Sequence, residues 1–208
     1  MRTNNLRHRK KIYLVRHAQS EFNEKGIFQG RLDSDLTPLG FVQARMVAKA
    51  LSGEGIEVII ASPQRRAYKT ALVIGDVLGI GVELEERIRE MSFGMLEGRN
   101  FWELFEERRD VMVKWLKDPT KHPLTGQEPV ELFERRVSSF LEELKVRREE
   151  RIAVVGHGGT LHAMVCLALG LGLDKLWHIH MDNASISLLE WDGENFKVAY
   201  LNRLCHLT

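Results

Sequence analysis

Three short apolar runs, at residues 12–15, 58–61 and 152–155, each end in a polar cluster: Arg16-His17, then Ser62-Pro63-Gln64-Arg65-Arg66, then His157-Gly158-Gly159. Uninterrupted apolar runs of this length read as strands buried on both faces, as in parallel sheets. In open α/β sheets, ligands bind beyond the carboxyl ends of the strands. If the three strands are parallel neighbours, two histidines and at least two arginines line one pocket. A guanidinium clamps phosphate oxygens and an imidazole can attack phosphorus. The glycines after His157 let backbone approach a ligand closely and open a helix whose first N–H groups favour anions.

The intervening segments carry helical signals, which makes the expected fold class α/β. Thr37-Pro38 predicts an N-cap with proline at the first helical position, and Phe41, Ala44, Ala48 and Leu51 recur on one helix face. Ala67, Ala71, Ile74 and Leu78 mark a second helix, with Gly79 as its stop. Pro129 opens a third, carrying Leu132, Phe133, Val137, Phe140, Leu141 and Leu144, and residues 160–171 form a fourth. Strands at 184–190 and 197–201 flank the turn signal Asp192-Gly193.

A chain of 208 residues, 44% of them hydrophobic, is expected to form one domain over residues 11–208, preceded by a basic tail at 1–10. Formal net charge is +1, so no polyanion or membrane partner is implied. The tail's basic residues read as a solvated end, and nothing else in the chain supports a nucleic-acid contact. No apolar run reaches membrane-span length and the amino end lacks the apolar stretch of a secretory signal, so a cytoplasmic protein is expected. Cys166 and Cys205 set no disulfide framework. His178 and His180 alternate as on one strand face, yet no third zinc ligand is in register, so no metal site is expected.

The ordered set of motifs resembles the histidine phosphatase superfamily, in its phosphoglycerate mutase-like branch. Arg16-His17 matches the family's Arg-His signature, with Ser20 and Asn23 at the expected offsets. Gln29-Gly30 falls where the family places a polar residue and glycine against substrate. Residues 36–40 match the opening of its first long helix, and residues 62–70 its serine, arginine-alanine and threonine pattern, with Arg66 the second phosphate arginine. Arg89-Glu90, Phe93-Gly94 and Glu97-Gly98 match the proton-donor segment. Gly126-Gln127-Glu128 is similar to its Gly-Glu element, with Arg136 following, and residues 155–159 match the second catalytic histidine. The resemblance spans residues 12–207. It implies a three-layer α/β/α sandwich around a mostly parallel sheet.

It also implies a chemistry. His17 attacks phosphorus and forms phosphohistidine. Arg16, Arg66 and His157 meet the negative charge on the equatorial oxygens, and Asn23 adds a hydrogen bond. Glu90 protonates the leaving oxygen and then activates the hydrolytic water. No cofactor is called for, because the arginines supply the positive charge. Gln29, Gly30 and Gly158 are expected against the substrate, and Cys205 and His206 are expected to reach it from the end of the chain. Gln127 and Glu128 read equally as loop or functional residues. Met91, Phe93, Met95, Phe101, Trp102 and Phe105 read as core or as a lid over the pocket mouth.

Mutases of the family carry a long insertion between the proton-donor segment and the Gly-Glu element, whereas here only residues 99–125 fill that gap. A shorter cover makes a wetter pocket and favours hydrolysis. The carboxyl end, residues 182–187 and 202–207, is similar to metal-independent phosphoserine phosphatases and α-ribazole phosphatases. The expected activity is hydrolysis of a small phosphorylated metabolite: phosphoserine first, α-ribazole phosphate second, a phosphosugar third. A cofactor-dependent phosphoglycerate mutase and a non-catalytic phosphate-binding module are the alternatives. A homodimer is implied by resemblance alone.

Overall fold

The computed structural model describes residues 9–208. Most of the expected basic tail, residues 1–8, lies outside them. Lys10, placed in that tail from sequence, instead begins β1 (Lys10–Arg16) and is buried. Its ammonium donates to the Glu149 and Arg147 carbonyls, which makes burial tolerable.

After β1 come α1 (Glu21–Glu24), α2 (Pro38–Leu51), β2 (Val58–Ala61), α3 (Arg65–Leu78) and β3 (Val82–Leu84). An irregular excursion holds the short helices α4 (Phe101–Glu107) and α5 (Arg109–Lys117). The chain returns through α6 (Val130–Val146), β4 (Arg151–Gly156), α7 (Gly158–Ala168), β5 (Ile186–Trp191) and β6 (Phe196–Arg203). The six strands form one sheet in the order β3-β2-β4-β1-β5-β6. β1, β2, β3 and β4 run parallel, and β5 is antiparallel to both of its neighbours.

Alternation along the central strands divides the core in two. Tyr13, Val15, Ile59, Ala61, Ala153 and Val155 face α2 and α3. Ile12, Leu14, Ile60, Ile152 and Val154 face α6, α7 and the excursion. Both sheet faces are thus covered, which is why β2 and residues 152–155 of β4 are apolar without interruption. The Thr37 hydroxyl accepts from the Gly40 amide and caps α2, and Gly79 ends α3 in the left-handed region at φ 69°.

Several local expectations shift. The fourth helix begins at Gly158 and ends at Ala168, before Gly170 turns left-handed at φ 67°. Leu132 is half exposed rather than core-facing. His178 closes a 3-10 helix, Leu173–His178, so it and His180 share no strand face. β3 has no counterpart in the sequence reading, because three residues with a partly exposed pattern carry too little periodicity.

Candidate active site

Register within the sheet brings the predicted clusters together. Arg16 pairs with Gly156, and Val155 lies opposite both Val15 and Ala61, so all three strands end level at one edge. A cleft of about 270 Å³ opens there, and Arg16, His17, Arg66, Glu90, Gly158 and Gly159 line its inner end. Asn23, Gln29 and Gly30 line it as well.

The imidazole of His17 is nearly fully buried, and its Nδ1 lies 2.8 Å from the Ala18 carbonyl. A carbonyl only accepts, so Nδ1 carries the proton and Nε2 keeps its lone pair. The ring of His157 lies 5.2 Å away, inclined at 59°, with its Nε2 2.8 Å from the Ser62 hydroxyl. Burial pushes both pKa values well below 6.5, and Arg66 and Arg16 push them further. Two uncharged imidazoles therefore stand beside two guanidinium groups.

The arginines are held by backbone oxygens. Arg66 donates to the carbonyls of Leu32 (2.8 Å) and Gly30 (3.0 Å), and Asp33 lies 3.5 Å away. Arg16 donates to the Met181 carbonyl. Desolvation pulls both below the usual guanidinium range, Arg66 to about 10. The Nε of each, and His157 Nδ1, are buried with no hydrogen-bond partner among the described residues. A buried donor left unpaired costs about 1–3 kcal/mol, so the two guanidinium Nε groups of cleft-lining arginines mark a place for an anion.

Glu90 sits across the N-terminus of α7. Its carboxylate accepts from the amides of Gly159 (3.0 Å), Thr160 (3.1 Å) and Met91 (2.9 Å). A Cβ on Gly159 would fall 2.7 Å from Glu90 Oε1, which explains glycine there. Gln64 accepts from the Glu90 amide (2.7 Å) and donates to the Gly30 carbonyl (2.8 Å), tying the carboxylate's segment to the loop that holds Arg66. Arg136 pairs with Glu128 at 2.7 Å and donates to the carbonyls of Arg89 and Glu90. Glu128 therefore supports the backbone carrying Glu90. Gln127 accepts from the Trp115 indole at 2.8 Å and supports the cleft wall.

Cys205 and His206 do not line the cleft, which corrects the expectation placed on them. Cys205 is exposed, and the 3-10 turn Cys205–Leu207 packs against α2. His206 Nε2 lies 2.9 Å from the Ala184 carbonyl. The Ala184 amide in turn donates to the carbonyls of Arg16 and His17, so His206 is tied to the signature pair only through backbone. Of the six aromatic-segment residues, Phe93 and Phe101 line the cleft, Met91 is core and Trp102 is 70% exposed.

Sequence reasoning missed Phe28, Trp115, His162 and Trp177, which also line the cleft. It also missed Asn183, whose amide nitrogen donates to the His17 carbonyl (3.0 Å) and to Asn23 Oδ1 (3.2 Å). His162 lies three residues past the His-Gly-Gly motif and was the one legible signal. The tryptophans are brought in by packing between distant segments.

A neutral, buried histidine pair backed by two arginines, at the carboxyl ends of a parallel sheet, is the apparatus of phosphoryl-group chemistry. A model of the histidine phosphatase superfamily (branch 1) matches residues 12–204, and the chain belongs to that superfamily. It is 58% identical over 197 residues to "Putative phosphoserine phosphatase 2" of Hydrogenobacter thermophilus, covering 95% of this chain and 97% of that one. It is 38% identical over 198 residues to "Phosphoserine phosphatase 1" of the same organism, covering 95% and 94%. A mycobacterial glucosyl-3-phosphoglycerate phosphatase in complex with VO3 superposes with a TM-score of 0.83 at 27% identity, covering 94% of this chain and 100% of that one. The protein is a phosphatase, a hydrolase built on the expected mixed α/β sandwich.

Proposed function

We propose that the protein hydrolyses a small phosphomonoester through a phosphohistidine on His17, without a metal ion. The observation that carries this is the free Nε2 of His17 in a cleft also lined by Arg16 and Arg66, whose Nε atoms have no protein partner among the described residues, with the buried His157 ring 5.2 Å behind it. In the first step the Nε2 lone pair forms a bond to phosphorus and the bond to the leaving oxygen breaks. Glu90 gives that oxygen its proton, and the alcohol departs. In the second, Glu90 takes a proton from water as its oxygen bonds to phosphorus. The N–P bond breaks, inorganic phosphate leaves and His17 regains its lone pair.

Arg16 and Arg66 supply positive charge to the phosphoryl oxygens throughout, as a metal ion does in other phosphoryl-transfer sites. A Ser62 hydroxyl that donates to His157 Nε2 places the proton on Nδ1, as a further donor to the same oxygens. Asn23, Gln29, Gly30 and Gly158 bound the site and contact the bound ester.

The names of the two Hydrogenobacter relatives support phosphoserine as the first ester to assay, with α-ribazole phosphate second. The cleft walls beyond the phosphate end select the alcohol. A small metabolite substrate is in keeping with a cytoplasmic setting; no described helix is long and apolar enough to cross a membrane. The test is a phosphate-release screen across metabolite esters, run with and without 2,3-bisphosphoglycerate. Release that needs no bisphosphoglycerate is expected. Isomerisation of phosphoglycerate in its presence, with little release, would make the protein a mutase.

A further inference from the structure

Asn183 does not line the cleft, yet it joins two residues that do, His17 and Asn23. Its Nδ2 lies 3.0 Å from the His17 carbonyl and 3.2 Å from Asn23 Oδ1. A backbone carbonyl only accepts, so the atom facing it is the amide nitrogen, and the Asn183 carboxamide has one possible sense. The sense of Asn23 is fixed in the same way. The Ser20 amide, which only donates, lies 3.1 Å from Asn23 Oδ1. Among the described residues, every side-chain hydrogen bond of Asn23 falls on that oxygen, from the Ser20 amide, the Ser20 hydroxyl and Asn183. Its Nδ2, with two N–H donors, is the end left over.

The segment that carries Asn183 is braced on both sides. Arg16 donates to the Met181 carbonyl, and the Ala184 amide donates to the carbonyls of Arg16 and His17. Ala184 sits at φ 60°, a left-handed conformation that a Cβ disfavours and that persists where the surroundings impose it. Asp182 and Asn202 of β6 exchange hydrogen bonds of 2.7 and 2.9 Å. The Asn183 carboxamide therefore reaches the His17 peptide from a fixed base.

We propose that Asn183 is a positioning residue for phosphoryl transfer: it links the Asn23 carboxamide to the His17 peptide and keeps the Asn23 NH2 group free for a phosphoryl oxygen. Released from Asn183, the broad terminal torsion of Asn23 can present oxygen instead, and an oxygen lone pair repels the charge that a donor would stabilise. This rests on the phosphohistidine reading and adds to it a residue outside the cleft.

The test compares the full-length wild type, Asn183→Ala, Asn23→Ala and the double variant on p-nitrophenyl phosphate and for vanadate inhibition. Asn183→Ala should lower kcat about tenfold with KM changed less than about threefold, and should weaken vanadate inhibition about tenfold. In the Asn23→Ala background the same substitution should cost less than about threefold, because the bond it removes is already gone. Asn183→Asp keeps the shape but sets an acceptor against two oxygens, so it should cost at least as much as alanine. It is read against wild type if the alanine variant does not fold. Equal costs of Asn183→Ala in the two backgrounds, or near-normal turnover by Asn183→Asp, would overturn the inference. Wild-type turnover by His17→Ala would instead overturn the phosphohistidine reading beneath it.

Discussion

His17 and His157 stand 5.2 Å apart, and each is anchored through one ring nitrogen. His17 is held through Nδ1 at the Ala18 carbonyl, and His157 through Nε2 at the Ser62 hydroxyl. This leaves His17 Nε2 as a lone pair on a cleft-lining ring, whereas His157 Nδ1 is buried with no partner among the described residues. The difference in hydrogen bonding between two like residues is thus set by their neighbours.

Replacement of His17 by alanine should lower kcat by at least about a thousandfold while leaving the circular dichroism spectrum intact. Acid-labile, base-stable phosphate should be trapped on the wild-type enzyme and be absent from the variant. Residual activity above a tenth of normal would assign the nucleophile elsewhere.

Glu90→Gln removes the proton donor while keeping most of the shape that accepts from Gly159 and Thr160. Alkyl phosphates should slow much more than p-nitrophenyl phosphate, whose leaving group needs no proton. Equal slowing of both would point to another acid.

Gly159→Ala should lower kcat by about tenfold or more, because the new Cβ meets Glu90 Oε1 at 2.7 Å and must displace the carboxylate. Gly158→Ala should cost less, since its Cβ would meet Arg16 only at 3.7 Å, an ordinary contact. The reverse ranking would mean that Glu90 is not placed by the start of α7.

The buried histidines make stability depend on pH. His17 and His157 titrate well below 6.5 and His162 at about 3, whereas their unfolded counterparts titrate near 6.5. Below pH 6.5 the unfolded chain takes up protons that the folded chain refuses. The stability these groups contribute is complete above about pH 6.5 and falls as the pH drops towards their folded values. For His162 the loss between about pH 6.5 and 5 is about 2 kcal/mol. Urea unfolding at a series of pH values should show this decline, and His162→Gln should flatten it. A stability that rises on acidification over that range would refute the assignment of neutral rings.

Activity should survive EDTA and be inhibited by vanadate, whose five-coordinate form resembles the phosphoryl group in transit. Loss of turnover on chelation, restored by a divalent ion, would transfer the charge-stabilising role from Arg16 and Arg66 to a metal.

The inner end of the site was legible because it is written in local motifs. Strand ends fix Arg16, His17, Ser62, Arg66 and His157 within a few residues of an apolar run, and a parallel sheet must bring such ends level. Glu90 could be named from its motif, although only the structure places its carboxylate on the amides of α7. The helix caps at Thr37 and Gly79 were equally readable, since capping is a contact among residues adjacent in sequence.

The sequence by itself determined the fold class, the order of the main elements and the groups able to act on phosphorus, because each follows from short-range pattern. Only the tertiary structure decided which nitrogen of each histidine is free, that Cys205 and His206 lie away from the cleft, and that aromatic residues from separate segments line it together. Those outcomes depend on packing between residues far apart in the chain, and no local periodicity encodes which distant ring will come to rest against which.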